Sequence, residues 1–189
     1  IYAAHYFWKR ELSCWVARVS VADSGRDAFI NGSATLAWRT LFETQPCLPI
    51  KGEGRRRGTP FAGHFGGGRL ALLDPQTLFL TVGDFVFNGV AANRMLSQDP
   101  TATYGKIIRI NLRDGSSDIY SSGVRNPQGL YIDPKNGDIY AVNNDTVDTL
   151  VVFDRSAKGN VPPTRELYTP HGTFGIAVDE GKEEMFLTL

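Results

Sequence analysis

The chain has 189 residues, and its 20 Lys+Arg balance 20 Asp+Glu to a formal net charge of zero. That balance argues against a nucleic-acid binder or an acidic-membrane binder, because either needs a cationic surplus to release counterions or meet anionic lipid. Hydrophobic residues at 42% exclude a disordered chain, no apolar run approaches the ~20 residues that span a bilayer, and two Cys with three scattered His exclude a Cys/His metal cluster.

The chain opens at Ile1-Tyr2-Ala3-Ala4, without an initiator Met, and it starts and stops inside strand-like text. A piece of a longer protein is therefore expected. Trp15 to Ser20 and Thr40 to Phe42 read as the first strands, in a partial unit over 1–43. Cys14 and Cys47 are either a disulfide or two unrelated buried thiols. N-glycosylation acceptors at Asn31 and Asn144 tilt the reading toward an extracellular or periplasmic setting. Arg55-Arg56-Arg57 reads as a solvated loop.

A repeated text then begins: an apolar strand, an Asp-led turn, and a second apolar strand. Leu70 to Pro75 leads into Leu78 to Val82; Gly129 to Pro134 leads into Asp138 to Val142; Gly175 to Asp179 leads into Met185 to Thr188. Asp133 and Asp179 stand 46 residues apart, the spacing of propeller blades. A second pair of strands follows each of the first two echoes, at Lys106 to Asn111 with Asp118 to Tyr120, and at Leu150 to Asp154 with Arg165 to Tyr168. Only Val90 to Ser97 has room for a turn or two of helix. The expected fold is an all-β propeller with four-stranded antiparallel blades: the partial blade 1–43, blades at 64–121 and 124–168, and a half blade at 171–189. About three blades do not close a ring. An open β-sandwich is the structural alternative, but it does not account for the 46-residue echo.

Up-and-down blades place the connection after each second strand on the same face as the connection leading into the next blade. His64, Arg125-Asn126 and His171 lie before first strands, while Asp84 and Asn144-Asp145 lie after second strands. All are expected at the mouth of one central channel, where loops on a rigid scaffold usually carry binding chemistry. Most also have a plainer role: His64 reads equally as a loop histidine hydrogen-bonded to a neighbouring turn. Asp84 caps its own Gly-Asp turn, Arg125-Asn126-Pro127 stiffens the entry to a strand, and His171 sits in a Pro170–Gly172 turn. Asp74-Pro75 and Asp133-Pro134 read as turn formers rather than catalytic acids.

Four motifs in order carry a resemblance: Gly63-His64-Phe65-Gly66-Gly67-Gly68-Arg69-Leu70, Thr81-Val82-Gly83-Asp84, Tyr104-Gly105-Lys106-Ile107-Ile108-Arg109-Ile110-Asn111, and Gly123-Val124-Arg125-Asn126-Pro127-Gln128-Gly129-Leu130. Over about residues 60–145 the text resembles the soluble glucose/sorbosone (aldose sugar) dehydrogenases, which use pyrroloquinoline quinone (PQQ) on a six-bladed β-propeller. The resemblance implies oxidation of an aldose at its anomeric carbon to a lactone, with electrons leaving to an external acceptor. It implies His64 as general base, Asp84 as the carboxylate orienting that imidazole, and Arg125, Asn126 and Gln128 as PQQ contacts. It also implies calcium beside the cofactor, with Asn144 and Asp145 in the loop position. The text departs from the family where Gly63 and Phe65 flank His64, and where Phe85-Val86-Phe87 stands in place of sugar-contacting polar residues. An apolar patch there would leave sugar hydroxyls unpaired. Residues 143–146 read Asn-Asn-Asp-Thr in place of a Gly-Pro-type loop. The alternative from a different class is a non-catalytic propeller that binds a protein or glycan, or a subunit whose partners cover its open blade edges.

Overall fold

The computed structural model describes residues 1–23, 26–32, 37–50, 66–143, 147–159 and 161–189. His64, Asn144, Asp145 and the Arg55–Arg57 run lie outside them. The first sheet contains β1 (Tyr2–Lys9), β2 (Cys14–Ala22) and β3 (Trp38–Glu43), with β4 (Leu48–Pro49) paired onto β2. A short helix, α1 (Arg26–Ile30), lies between β2 and β3. The second sheet runs β5 (Gly67–Asp74), β6 (Thr77–Val82), β7 (Lys106–Asn111), β8 (Ser117–Ser122); the third runs β9 (Pro127–Ile132), β10 (Ile139–Asn143), β11 (Thr149–Phe153), β12 (Arg165–Tyr168). A final hairpin pairs β13 (Gly175–Asp179) with β14 (Glu184–Thr188).

Every strand pair is antiparallel, and the second and third sheets are four strands in chain order. The first strands adjoin one another: β9 packs against β5 on one side and β13 on the other, and β1 lies against β5. The architecture is an all-β, partial propeller.

Packing explains why these strands read as apolar runs rather than clean alternations. A blade between two blades is covered on both faces. Leu78, Leu80, Ile108 and Ile110 point toward the first sheet, where they meet Val19, Phe42 and Leu48. Their neighbours Phe79 and Ile107 point the other way, onto Leu130, Ala141, Val151 and Phe153 of the third sheet. Burial of each such side chain is worth about 1.5–3 kcal/mol. A two-layer sandwich would leave one face of each sheet wet, and the middle sheet has no such face.

At the ends where first strands turn into second strands, Asp carboxylates tie the hairpins. Asp74 Oδ1 accepts from Gln76 N at 2.8 Å, Asp133 Oδ1 from Lys135 N at 2.8 Å, and Asp179 Oδ1 from Gly181 N at 3.1 Å. The same two-residue reach recurs at Asp114 and Asp154, each accepting at 2.8 Å in the turns after third strands. Asp74 and Asp133 are turn formers, as read from the sequence. Cys14 and Cys47, left open by spacing alone, form a disulfide where β4 is laid along the start of β2. Among the described residues no helix is long and apolar enough to cross a membrane.

Candidate functional site

Four strand ends meet at one corner opposite the Asp turns. The Gly83 amide, just after β6, donates to the Gly66 carbonyl just before β5 (3.1 Å), and the Gly105 amide, just before β7, donates to the Gly83 carbonyl (3.1 Å). The Asp84 amide donates to the carbonyl of Arg125, just before β9, at 3.0 Å. Glycine is required at 67 because its φ is +65° and a Cβ would sit 2.7 Å from the Thr81 carbonyl oxygen. The close approach of β5 to the end of β6 depends on that missing side chain.

The side chains of Asp84 and Arg125 meet at this corner. Arg125 Nε donates to Asp84 Oδ2 at 2.9 Å, with the carboxylate wholly buried and the arginine side chain 24% exposed. Asp84 Oδ1 accepts from the Val86 amide at 2.8 Å, and the Asp84 carbonyl accepts from the Phe87 amide at 2.9 Å. Asp84 therefore both ties its own turn and fixes a guanidinium from the next blade. The tight turn forces Phe85 and Val86 to φ of 50° and 68°. Left-handed backbone is unfavourable for a β-branched residue, on the order of 1–3 kcal/mol, and such strain tends to sit at working sites.

That turn also overturns one expectation. Phe85 and Phe87 do not form an apolar lining over the channel; both are 0% exposed, in the core between the first and second sheets. Phe85 packs edge-on against Tyr6 and Tyr104, with centroids 5.4 and 5.6 Å apart. The positive-φ turn swings these rings inward, which a residue-by-residue reading of polarity does not anticipate.

The remaining expected residues take distinct places. Asn126, immediately before β9, is 1% exposed, and its Oδ1 accepts from Gln128 Nε2 at 3.3 Å. Pro127 opens β9, so Arg125-Asn126-Pro127 does stiffen the entry to a strand. Beside Pro127, with which it is paired in the sheet, Asn143 ends β10; among the described residues its buried Oδ1 has no hydrogen-bond partner. His171 is exposed, with Nδ1 3.1 Å from Asp148 Oδ1. It occupies, one blade on, the topological place of Arg125, and Asp148 that of Asp84. Among the described residues no group of three or more His, Cys, Asp or Glu is placed to hold a metal ion.

Two further buried polar residues sit near the corner, both in the motif at 104–111, and neither has a role readable from the sequence. The Tyr104 hydroxyl accepts from Thr44 Oγ1 at 2.8 Å, and burial pushes its pKa up. Lys106 heads β7 with its side chain enclosed; β7 also carries Arg109, so the charge alone did not single it out.

Residues 55–145 match the family model described as Glucose / Sorbosone dehydrogenase. No curated protein matches the chain closely enough to count as a relative. The fold is similar to that of solved structures described as a soluble aldose sugar dehydrogenase from Escherichia coli in the apo form (18% identity, TM-score 0.66), a glucose dehydrogenase (21%, 0.63), and the PQQ-bound form of an aldose sugar dehydrogenase from Streptomyces coelicolor (23%, 0.59). These cover 98%, 94% and 98% of this chain, while the chain spans only 60%, 53% and 55% of theirs. The matched segment contains Asp84, Arg125, Asn126 and Gln128, so the resemblance and the side-chain convergence fall on the same residues.

Proposed function

We propose that the Asp84–Arg125 corner belongs to a site that oxidises an aldose at its anomeric carbon to a lactone, with electrons passed to an external acceptor. The observation that carries this reading is the 2.9 Å pair between a buried Asp84 and a partly exposed Arg125, inside the segment matched to the dehydrogenase family.

PQQ, when bound, supplies the two-electron acceptor for the hydride leaving the anomeric carbon. The donors present suit such a ligand. Arg125 offers a guanidinium whose orientation is fixed by Asp84, and a guanidinium matches carboxylate geometry in a way an ammonium does not. Gln128 supplies an amide beside it, oriented by the buried Asn126. His64 takes the proton of the anomeric hydroxyl; an imidazole is largely neutral and able to accept at pH 7. The Asp84 carboxylate would fix the imidazole tautomer and stabilise its charged form. Calcium prefers oxygen ligands. Asn143 Oδ1, buried and without a hydrogen-bond partner among the described residues, is followed directly by Asn144 and Asp145, and is the position we assign to it. The Cys14–Cys47 disulfide favours an oxidising compartment, extracellular or periplasmic.

The test is to add PQQ and calcium to the purified chain, record the PQQ absorbance, and follow dye reduction with a panel of aldoses. A shifted PQQ spectrum with aldose-dependent dye reduction supports the proposal. An unchanged spectrum and no turnover would refute it.

A further inference from the structure

Lys106 is the charged side chain that this chemistry leaves unused, and it is 1% exposed. Its ammonium donates to three main-chain carbonyls: Leu96 at 3.2 Å, Ser97 at 2.6 Å and Tyr104 at 3.1 Å. An ammonium has three N–H donors, so this set uses all of them. A buried charge is tolerated only when it is fully hydrogen-bonded, as here. All three carbonyls belong to one segment, the 83–105 connection that also carries Asp84.

A second observation ties the same segment down. Gly105 has φ +65°, and a Cβ there would stand 2.4 Å from Ser97 Cβ and 3.2 Å from the Val124 carbonyl oxygen. The turn at 96–98 is thus seated directly on the head of β7, with the approach to Arg125 on its other side. From that seat a continuous set of bonds runs back to the corner. The Leu96 amide donates to Phe87 O (3.0 Å), Phe87 N to Asp84 O (2.9 Å), and Gly105 N to Gly83 O (3.1 Å).

We propose that Lys106 is the positioning residue of the corner: its ammonium closes the 83–105 connection onto β7 and thereby holds Asp84 in register with Arg125. The inference rests on reading that corner as the working site, but not on PQQ. Without the ammonium, the carbonyls of Ser97 and Tyr104 lose a charged donor, the 96–98 turn loosens, and the Phe87–Asp84 link loosens with it. The rest of the propeller keeps its own ladders.

Lys106→Met, which retains most of the side-chain bulk, is the direct test, read by amide hydrogen exchange and by the Arg125 Nε–Hε NMR signal. Exchange at Phe87, Leu96 and Gly105 is expected to accelerate at least about tenfold relative to β10 and β11, as loss of a charge-assisted hydrogen bond implies. The Arg125 Nε–Hε signal should shift or broaden. Gly105→Ala should give the same local pattern by displacing Ser97. In the unsubstituted chain, the Lys106 ammonium should give a slowly exchanging signal with cross-relaxation to Ser97, a reading that survives even if the variants do not fold. Uniform acceleration across all sheets, an unmoved Arg125 signal, or an ammonium exchanging as fast as surface lysines would each overturn the assignment. Failure of the wild type to bind PQQ would instead refute the proposed function and leave this coupling intact.

Discussion

The Asp84–Arg125 pair is asymmetric, and that asymmetry gives a quantitative test. Asp84 is wholly buried, whereas Arg125 keeps 24% of its side chain exposed. Removing the arginine takes the paired cation away from a carboxylate that is wholly buried. Breaking a buried pair in that direction costs about 3–5 kcal/mol. Removing the charge from the aspartate is milder, since the guanidinium can hydrate through its exposed part and Asn still offers one oxygen to the Val86 amide. One lost charge-assisted bond costs about 1.5–3 kcal/mol. Arg125→Met should therefore destabilise more than Asp84→Asn. The double variant should fall short of the sum by about 0.5–3 kcal/mol, the range measured for residues in contact. Urea unfolding followed by far-ultraviolet circular dichroism at pH 7 reads all three. A cost below about 1 kcal/mol for Arg125→Met, or simple additivity in the double variant, would show that the two side chains are not coupled as described.

Three further outcomes follow from the fold. Replacing Cys14 and Cys47 with Ser opens a cross-link spanning 33 residues, which loop entropy values at about 3.7 kcal/mol; an unfolding midpoint unchanged from wild type would contradict the pairing. Burial alone would raise the Glu43 carboxyl, but hydrogen bonds and charge from Lys9 and Arg18 prevail and hold it below its ordinary 4.5. A depressed folded-state pKa contributes stability above the ordinary value and loses it as pH falls through the folded one, so the gap between wild type and Glu43→Gln should be full at pH 6 and close toward pH 3. A gap that does not vary with pH would count against the pair. Phe79→Ala, which empties the interface between the second and third sheets and removes a ring 4.9 Å from Tyr120, should cost about 3–5 kcal/mol by calorimetry; less than about 1 kcal/mol would mean the two sheets do not pack through it.

Much of this was legible in the sequence for physical reasons. Hairpin aspartates announce themselves because Asp bonds the amide two residues on, and the Asp133–Asp179 echo follows from stacked, equivalent blades. That Asp84 and Arg125 share one face follows from strand direction once four strands per blade are assumed; their direct pairing does not. What stayed hidden depends on contacts between distant segments. The inward swing of Phe85 and Phe87 requires two positive-φ residues that no composition rule foresees. Lys106 looks like a surface cation until three carbonyls from its own connection surround it. The disulfide became readable only when the two-residue β4 was seen beside the start of β2, a strand too short to leave a periodic signal.

A crystal structure of the chain grown with PQQ and calcium probes the central claim most directly. The account predicts quinone density against the Arg125 guanidinium, the His64 imidazole within hydrogen-bonding reach of Asp84, and a cation beside Asn143. Density for the cofactor on the opposite face of the propeller, or His64 turned away from Asp84, would contradict it.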